Sequence, residues 1–246
     1  AVMAYRFDED LEFLRSMKSE DLNALVEILT GKEGETRFTE ELTTNPLYKR
    51  FYPEHIEYIE YVMAELQCYG ANSLATIFRG GKGVLYRKIL CNVCDKAKVN
   101  YNKNSSVELI EQNLLLKVLT DSLEKTDMNE LKELSKDIGV TITDFTKQGV
   151  TAAIQAAIKA GGFKSYQLAL IVANAVAKSV LGSGLSLATN ATLTRAMGIF
   201  TGPIGWVLTG AWTFVDIAGA AYRVTTPAVI QVAFLRQLKA QRDNHQ

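Results

Sequence analysis

Apolar residues recur at three- and four-residue spacings along almost the whole chain, and strict alternation is nearly absent. Leu11, Phe13 and Leu14 predict a helix over 8–17, and Leu22, Leu25, Val26 and Leu29 a second over 19–30. Both open on acidic residues, which suit the positive end of a helix dipole. Residues 31–34 form a turn with glycine at each end. Pro53 is expected to open a long helix, because a missing N–H does no harm in a first turn. Ile56, Ile59, Val62, Met63 and Leu66 then share one face. Short helices over 72–79 and 84–98 follow, punctuated by glycines. After a polar loop at 101–104, Ser105 with Glu108 reads as a capping box ahead of Ile110, Leu114 and Val118. Asp127 with Glu130 is a weaker box ahead of Leu131, Leu134 and Ile138. The alternation at 140–143 is too short to build a sheet and reads as a connector.

The pattern changes near Gly149. Helices are expected over 143–160, 163–181, 183–200 and 203–221, with a last one opened by Pro227 and running to about residue 241. Several are apolar on most faces, as in a protein core or in lipid. Charge changes at the same place: only six charged residues lie between 149 and 235, five of them basic. The predicted architecture is therefore all-α, a charged helical domain over 1–148 and an apolar, Gly/Ala-rich hairpin bundle over 149–246, as two domains or as one continuous fold. Residues 196–215 carry no charge, which nominally suffices to span a bilayer. Gly202-Pro203 interrupts that run, and Pro203 leaves a segment too short to cross alone. Three readings stay open: a hairpin buried in a soluble core, a hairpin that inserts into membrane when triggered, and an apolar face for a partner. Trp206 and Trp212 fit a core or an interfacial anchor.

Chemistry is scarce. Net charge is zero, so no overall field draws the chain to nucleic acid. His55 and His245 are the only histidines, which removes most His-based catalysis and most zinc sites. Cys68, Cys91 and Cys94 are a sparse, odd set that points to a reducing compartment. Cys91-Asn-Val-Cys94 lies in a helical stretch without a second ligand pair and reads as structural. Arg79-Gly80-Gly81-Lys82-Gly83 lacks phosphate-loop spacing, but Arg79, Lys82, Arg87 and Lys88 form a candidate basic surface. Tyr48, Tyr52, Tyr58, Tyr61, Tyr69 and Tyr86, with Phe51 and Phe78, are half-buried packing or an aromatic groove. Arg195, Asp216 and Arg223 are isolated charges among apolar residues and need partners if buried. An Asp216 bridge to Arg195 or Arg223, beside Gly202 and Pro203, would hold the hairpin or act as a latch on it.

Several stretches resemble the YaaW-like family of bacterial proteins. They are Phe7-Asp8-Glu9-Asp10-Leu11-Glu12-Phe13-Leu14, Glu65-Leu66-Gln67 with Gly70-Ala71-Asn72-Ser73, Arg79-Gly80 followed by Leu85-Tyr86-Arg87, Gly202-Pro203-Ile204-Gly205, and the run from Ala221 to Val229. That family is remotely grouped with ubiquinol–cytochrome c chaperones, helical assembly factors that work at a membrane. The resemblance implies a bacterial cytoplasmic protein, peripheral to the inner membrane at most, and carries over no catalytic residue. The expected function is a non-enzymatic, chaperone-like binder with no cofactor and no metal, using its apolar half on a protein partner or membrane lipid. A conditional membrane-inserting effector is the alternative; an enzyme is the third.

Overall fold

The computed structural model describes residues 4–31, 42–72, 83–186 and 222–245. Every regular element among them is helical. The expected turn after Gly31 and the helices over 72–79, 183–200 and 203–221 lie wholly or largely outside these residues.

The first two predicted helices are tighter and shorter than expected. Residues Glu12–Ser16 and Ser19–Leu22 are 3-10 turns, separated by extended backbone at Met17 and Lys18, and only Asn23–Thr30 (α1) is α-helical. Segments of four or five residues gain too few i→i+4 bonds to settle as α-helix. Their apolar residues are nonetheless inside: Leu11, Leu14, Leu22, Leu25, Val26 and Leu29 are all buried. Pro46–Phe51 (α2) is capped by Asn45, whose side chain accepts the Leu47 N–H. Pro53 does not open the next helix. The Tyr52–Pro53 bond is cis, a 3-10 turn His55–Tyr58 follows, and Ile59–Asn72 (α3) starts after it.

Tyr86–Lys96 (α4) lies against α3 at close range. A Cβ on Gly70 would stand 2.3 Å from Ile89 Cγ1, so only glycine fits there. Val107–Leu123 (α5) is capped by Ser106 instead of Ser105; the Ser106 hydroxyl accepts the Leu109 N–H at 3.2 Å. Met128–Ile138 (α6) has the expected Asp127 cap, and Gly139 closes it in the left-handed conformation. Thr146 caps Lys147–Ala160 (α7), which buries Val150, Ile154 and Ile158. Gly161 and Gly162, both at positive φ, turn the chain sharply into Gly162–Leu181 (α8).

The last helix, Tyr222–Asp243 (α9), contains Pro227 instead of starting at it. An interior proline removes one backbone bond and costs about 3 kcal/mol. Here apolar contacts on every side offset that loss: α9 is buried without a break from 224 to 235. It packs along α8 and is also met by α1, α3, α4 and α5. Gln231, buried within that stretch, donates from Nε2 to the Ala173 carbonyl of α8 at 2.9 Å, which satisfies its amide inside the core. One hydrophobic core runs from Leu11 through α5 to Leu238, so buried residues on both sides of position 148 share it. No helix among the described residues is long and apolar enough to cross a membrane.

Candidate functional site

Charged side chains on an otherwise apolar face are the most informative positions in such a fold. On α5, Val107, Ile110, Leu114 and Leu115 form the buried stripe, and Glu111 stands within it. Its side chain is 4% exposed, and both oxygens are engaged. Oε1 accepts from Arg236 Nε at 2.6 Å, and Oε2 accepts from the Tyr86 hydroxyl at 2.6 Å. Burial pushes the Glu111 carboxyl up, and the Arg236 charge and the two hydrogen bonds oppose that shift. Arg236, on the last turns of α9, is 16% exposed. Its guanidinium lies 4.4 Å from the Phe13 ring centroid and donates from Nη2 to the Asp10 carbonyl at 2.7 Å. One arginine thus joins α9, α5, α4 and the N-terminal arm.

A second anchor lies one and a half turns further along α9. Arg242 meets the Asp21 carboxylate in a two-point fork, at 2.5 and 3.0 Å. The Asp21 side chain is fully buried, and it also accepts the Lys18 N–H at 3.2 Å. The N-terminal arm is held by polar contacts as well. The Gln67 carboxamide donates to the Arg6 carbonyl at 2.7 Å and accepts the Arg6 N–H at 3.0 Å. Asp8 Oδ2 accepts the Tyr86 N–H at 2.6 Å and so caps α4, where the preceding Leu85 has no side-chain acceptor.

Beside Arg236 a cleft of about 220 Å³ opens between α5, the α7–α8 corner and the end of α9, lined by Glu108, Glu111, Gln112, Gly162, Ser165 and Arg236. With both oxygens of Glu111 committed, its carboxylate is built as an anchor and not as an acid or base. Among the described residues no group of His, Cys, Asp and Glu could hold a metal. Cys94 is buried, which pushes its thiol up to about 12, so at neutral pH it is protonated and a poor nucleophile. Cys68 and Cys91 are half-buried and not in a disulfide. The aromatic residues split into two environments. Tyr48, Tyr52, His55 and Tyr58 form a chain of ring contacts 5.2 to 5.7 Å apart, whereas Tyr86 is fully buried in the ion-pair network. His55 sits between Asn23 and Tyr58. Its Nε2–H donates to Asn23 Oδ1 at 2.7 Å, so Nδ1 accepts the Tyr58 hydroxyl at 2.5 Å. Burial lowers its pKa to about 4.

Of the candidate latch, Arg195, Gly202, Pro203, Trp206, Trp212 and Asp216 lie outside the described residues. Arg223 is exposed on the first turn of α9. Of the basic surface, Arg79 and Lys82 also lie outside, Lys88 is exposed, and Arg87 is turned to the loop after α4. There it donates to the Lys103 and Ser105 carbonyls at 3.2 and 2.7 Å. Among the described residues, the ion pairs Arg236–Glu111 and Arg242–Asp21 hold the C-terminal helix. A signal for Glu111 was available: it occupies the i+4 position of an apolar stripe that begins at Val107. Nothing local identifies its partner, which is 125 residues away.

Comparison with known proteins matches this arrangement to relatives over most of its length. A family model described as ubiquinol-cytochrome C chaperone matches residues 54–230, and one described as a domain of unknown function (DUF3944) matches residues 5–38. A UPF0174 protein of Helicobacter pylori strain J99 is 54% identical over 244 residues, covering 98% of this chain and 96% of its own length. A UPF0174 protein of H. pylori strain 26695 is 45% identical over 207 residues, covering 82% and 99%. The UPF0174 protein YaaW of Escherichia coli K12 is 34% identical over 241 residues, covering 95% and 96%. No solved structure matches at a significant level.

Proposed function

The chain belongs to the UPF0174 family, which includes YaaW, and from that premise we propose that it is a non-enzymatic, chaperone-like binding protein whose client is another protein. The observation that carries this reading is the ubiquinol-cytochrome C chaperone match over residues 54–230. The geometry supports it in two ways. Buried Glu111 and Asp21 are each paired with an arginine, and the Cys94 thiol is protonated at neutral pH. Helices α8 and α9 bury their apolar faces on each other and on the N-terminal helices. We therefore assign client contact to the remaining apolar sequence, 187–221, whose only charges are Arg195 and Asp216. In this reading Asp216 pairs with Arg195 or Arg223 as the latch on that segment.

The test has two arms with the full chain: suppression of light scattering by a heat-unfolded model protein, and co-sedimentation with neutral and anionic liposomes at neutral and mildly acid pH. The expected result is suppression near one-to-one stoichiometry, strengthened by Asp216→Lys, with no vesicle binding. Vesicle binding without suppression would replace a protein client with a membrane surface. Absence of both effects would overturn the reading.

A further inference from the structure

Helix α2 is loosely seated. None of its residues is buried, and Leu47, Tyr48 and Phe51 are only half-buried against the core. Its main neighbours are two 3-10 turns, Leu42–Thr44 and His55–Tyr58. The second turn joins this corner to the rest of the fold. It carries two fully buried side chains, His55 and Tyr58. The Ile56 N–H donates to Ser19 Oγ at 3.1 Å, and His55 Nε2–H donates to Asn23 Oδ1 at 2.7 Å, so both reach back to residues 19–23. His55 holds the corner with a proton on one nitrogen and none on the other. Its Nδ1 accepts the Tyr58 hydroxyl, and the Tyr48 and Tyr52 rings pack against that pair at 5.3 and 5.7 Å.

A second proton on the ring would end that arrangement. Nδ1 would become a donor aimed at the hydroxyl that now donates to it, and a full charge would sit inside the aromatic cluster. Among the described residues no counter-ion is placed to meet it. The groups in contact with the ring are two phenols and a neutral asparagine. On the elements packed around it, Asp21 is held by Arg242 and Glu60 by Arg15, while Glu20, Glu27, Glu54 and Glu57 are exposed. Glu54 acts on Tyr58 and not on the imidazole, whose pKa is lowered by burial alone. The cations Lys18, Lys49 and Arg50 are exposed and of the wrong sign to help. We propose that residues 45–58 form an acid-released corner, in which one proton on His55 detaches α2 and the turn after it while the core helices stay folded. The release is local because α2 buries none of its residues, whereas α9 is buried without a break from 224 to 235. Opening uncovers Tyr58 beside Tyr48, Phe51 and Tyr52 as one aromatic surface. This argument rests on the geometry of the corner and stands apart from the chaperone reading.

Amide hydrogen exchange on the full chain tests it, with protection factors compared at pH 7.5 and pH 5.5. The reporters are the Tyr52 N–H, bonded to the Tyr48 carbonyl, and the Ile56 N–H, with the amides of α9 as the internal control. With a pKa of about 4 in place and 6.5 once released, His55 favours opening by about tenfold more at the lower pH. The Tyr52 and Ile56 protection factors should therefore fall about tenfold, and those of α9 should hold. In His55→Asn, which cannot take up the proton, both reporters should give the same protection at the two pH values, whatever its level. Titration of the His55 ring by NMR in the unaltered chain needs no variant, and its midpoint should lie well below 6.5. Constant protection of the two reporters, a parallel fall in α9, a fall that persists in His55→Asn, or a ring midpoint near 6.5 would overturn the proposal.

Discussion

The N-terminal arm and helix α9 come from opposite ends of the chain, meet in the same core, and are held there by different forces. The arm through Leu22 is built of 3-10 turns and extended backbone, and besides buried Leu11, Leu14 and Leu22 it is fastened by directed polar contacts: Gln67 to Arg6, Asp8 to Tyr86, Arg236 to Asp10, Arg242 to Asp21. Helix α9 is fastened by area, with twelve consecutive buried positions from 224 to 235 and helices around it. Arg236 and Arg242 connect the systems, since each reaches from beyond the apolar stretch to the arm. The difference sets a hierarchy. Burial of apolar surface is roughly proportional to area and tolerates small shifts, whereas a hydrogen-bonded arm is held residue by residue and opens one contact at a time.

The comparison can be broken most severely by removing α9. A chain ending at residue 221 should lose cooperative thermal unfolding altogether, seen as a flat far-ultraviolet melting curve, because α1, α3, α4, α5 and α8 each lose their shared neighbour. A sharp transition in that truncation would show that the N-terminal helices form a core without it. Next in size is Arg236→Met. It leaves the Glu111 carboxylate buried without its counter-ion, so stability in a urea titration should fall by about 3–5 kcal/mol. Adding Glu111→Met should recover most of that loss, since a well-packed apolar pair is often as stable as a buried ion pair.

A smaller effect is expected from the arm. Asp8→Ala uncaps α4 and strands the buried Tyr86 N–H, which should lower stability by about 1–2 kcal/mol. If Asp8→Ala cost as much as Arg236→Met, the proposed hierarchy would fail. The smallest effect is a pH dependence that sharpens the contrast between buried and exposed groups. His55 has a folded pKa of about 4, below the ordinary 6.5. The unfolded chain therefore binds the proton more readily, and the contribution of neutral His55 is complete above pH 6.5 and lost progressively as pH falls toward 4. The difference in stability between the unaltered chain and His55→Asn should shrink over that window; a constant difference would mean that His55 titrates alike in both states.

Helix placement was legible where the apolar period ran long. The reading over 163–181 differs from α8 by one residue at its start, and Ile110 and Leu114 mark the buried face of α5. Legibility failed where a local rule had competitors. Ser105 and Ser106 are both competent caps, and the chain uses the second. Pro53 and Pro227 both looked like helix openers. One is preceded by a cis bond and followed by a 3-10 turn, and the other is carried inside α9 by the surrounding core. The site was less visible still. Arg87 looked like part of a basic surface and is turned to loop carbonyls, while Asp8, read as part of the acidic opening of its own helix, caps a helix 78 residues away.

By itself, then, the sequence determined an all-helical chain, the faces of its helices that must be covered, and a charge-poor second half. Those properties follow from spacing and composition, which act over a turn or two of backbone. Only the tertiary structure decided what covers each face and which charges meet. Glu111 with Arg236, Asp21 with Arg242 and Gln67 with Arg6 are separated by 125, 221 and 61 residues. No local preference distinguishes these partners from the other charged and amide side chains of the sequence. They are selected because packing the apolar faces leaves each of them buried beside the one group that can satisfy it.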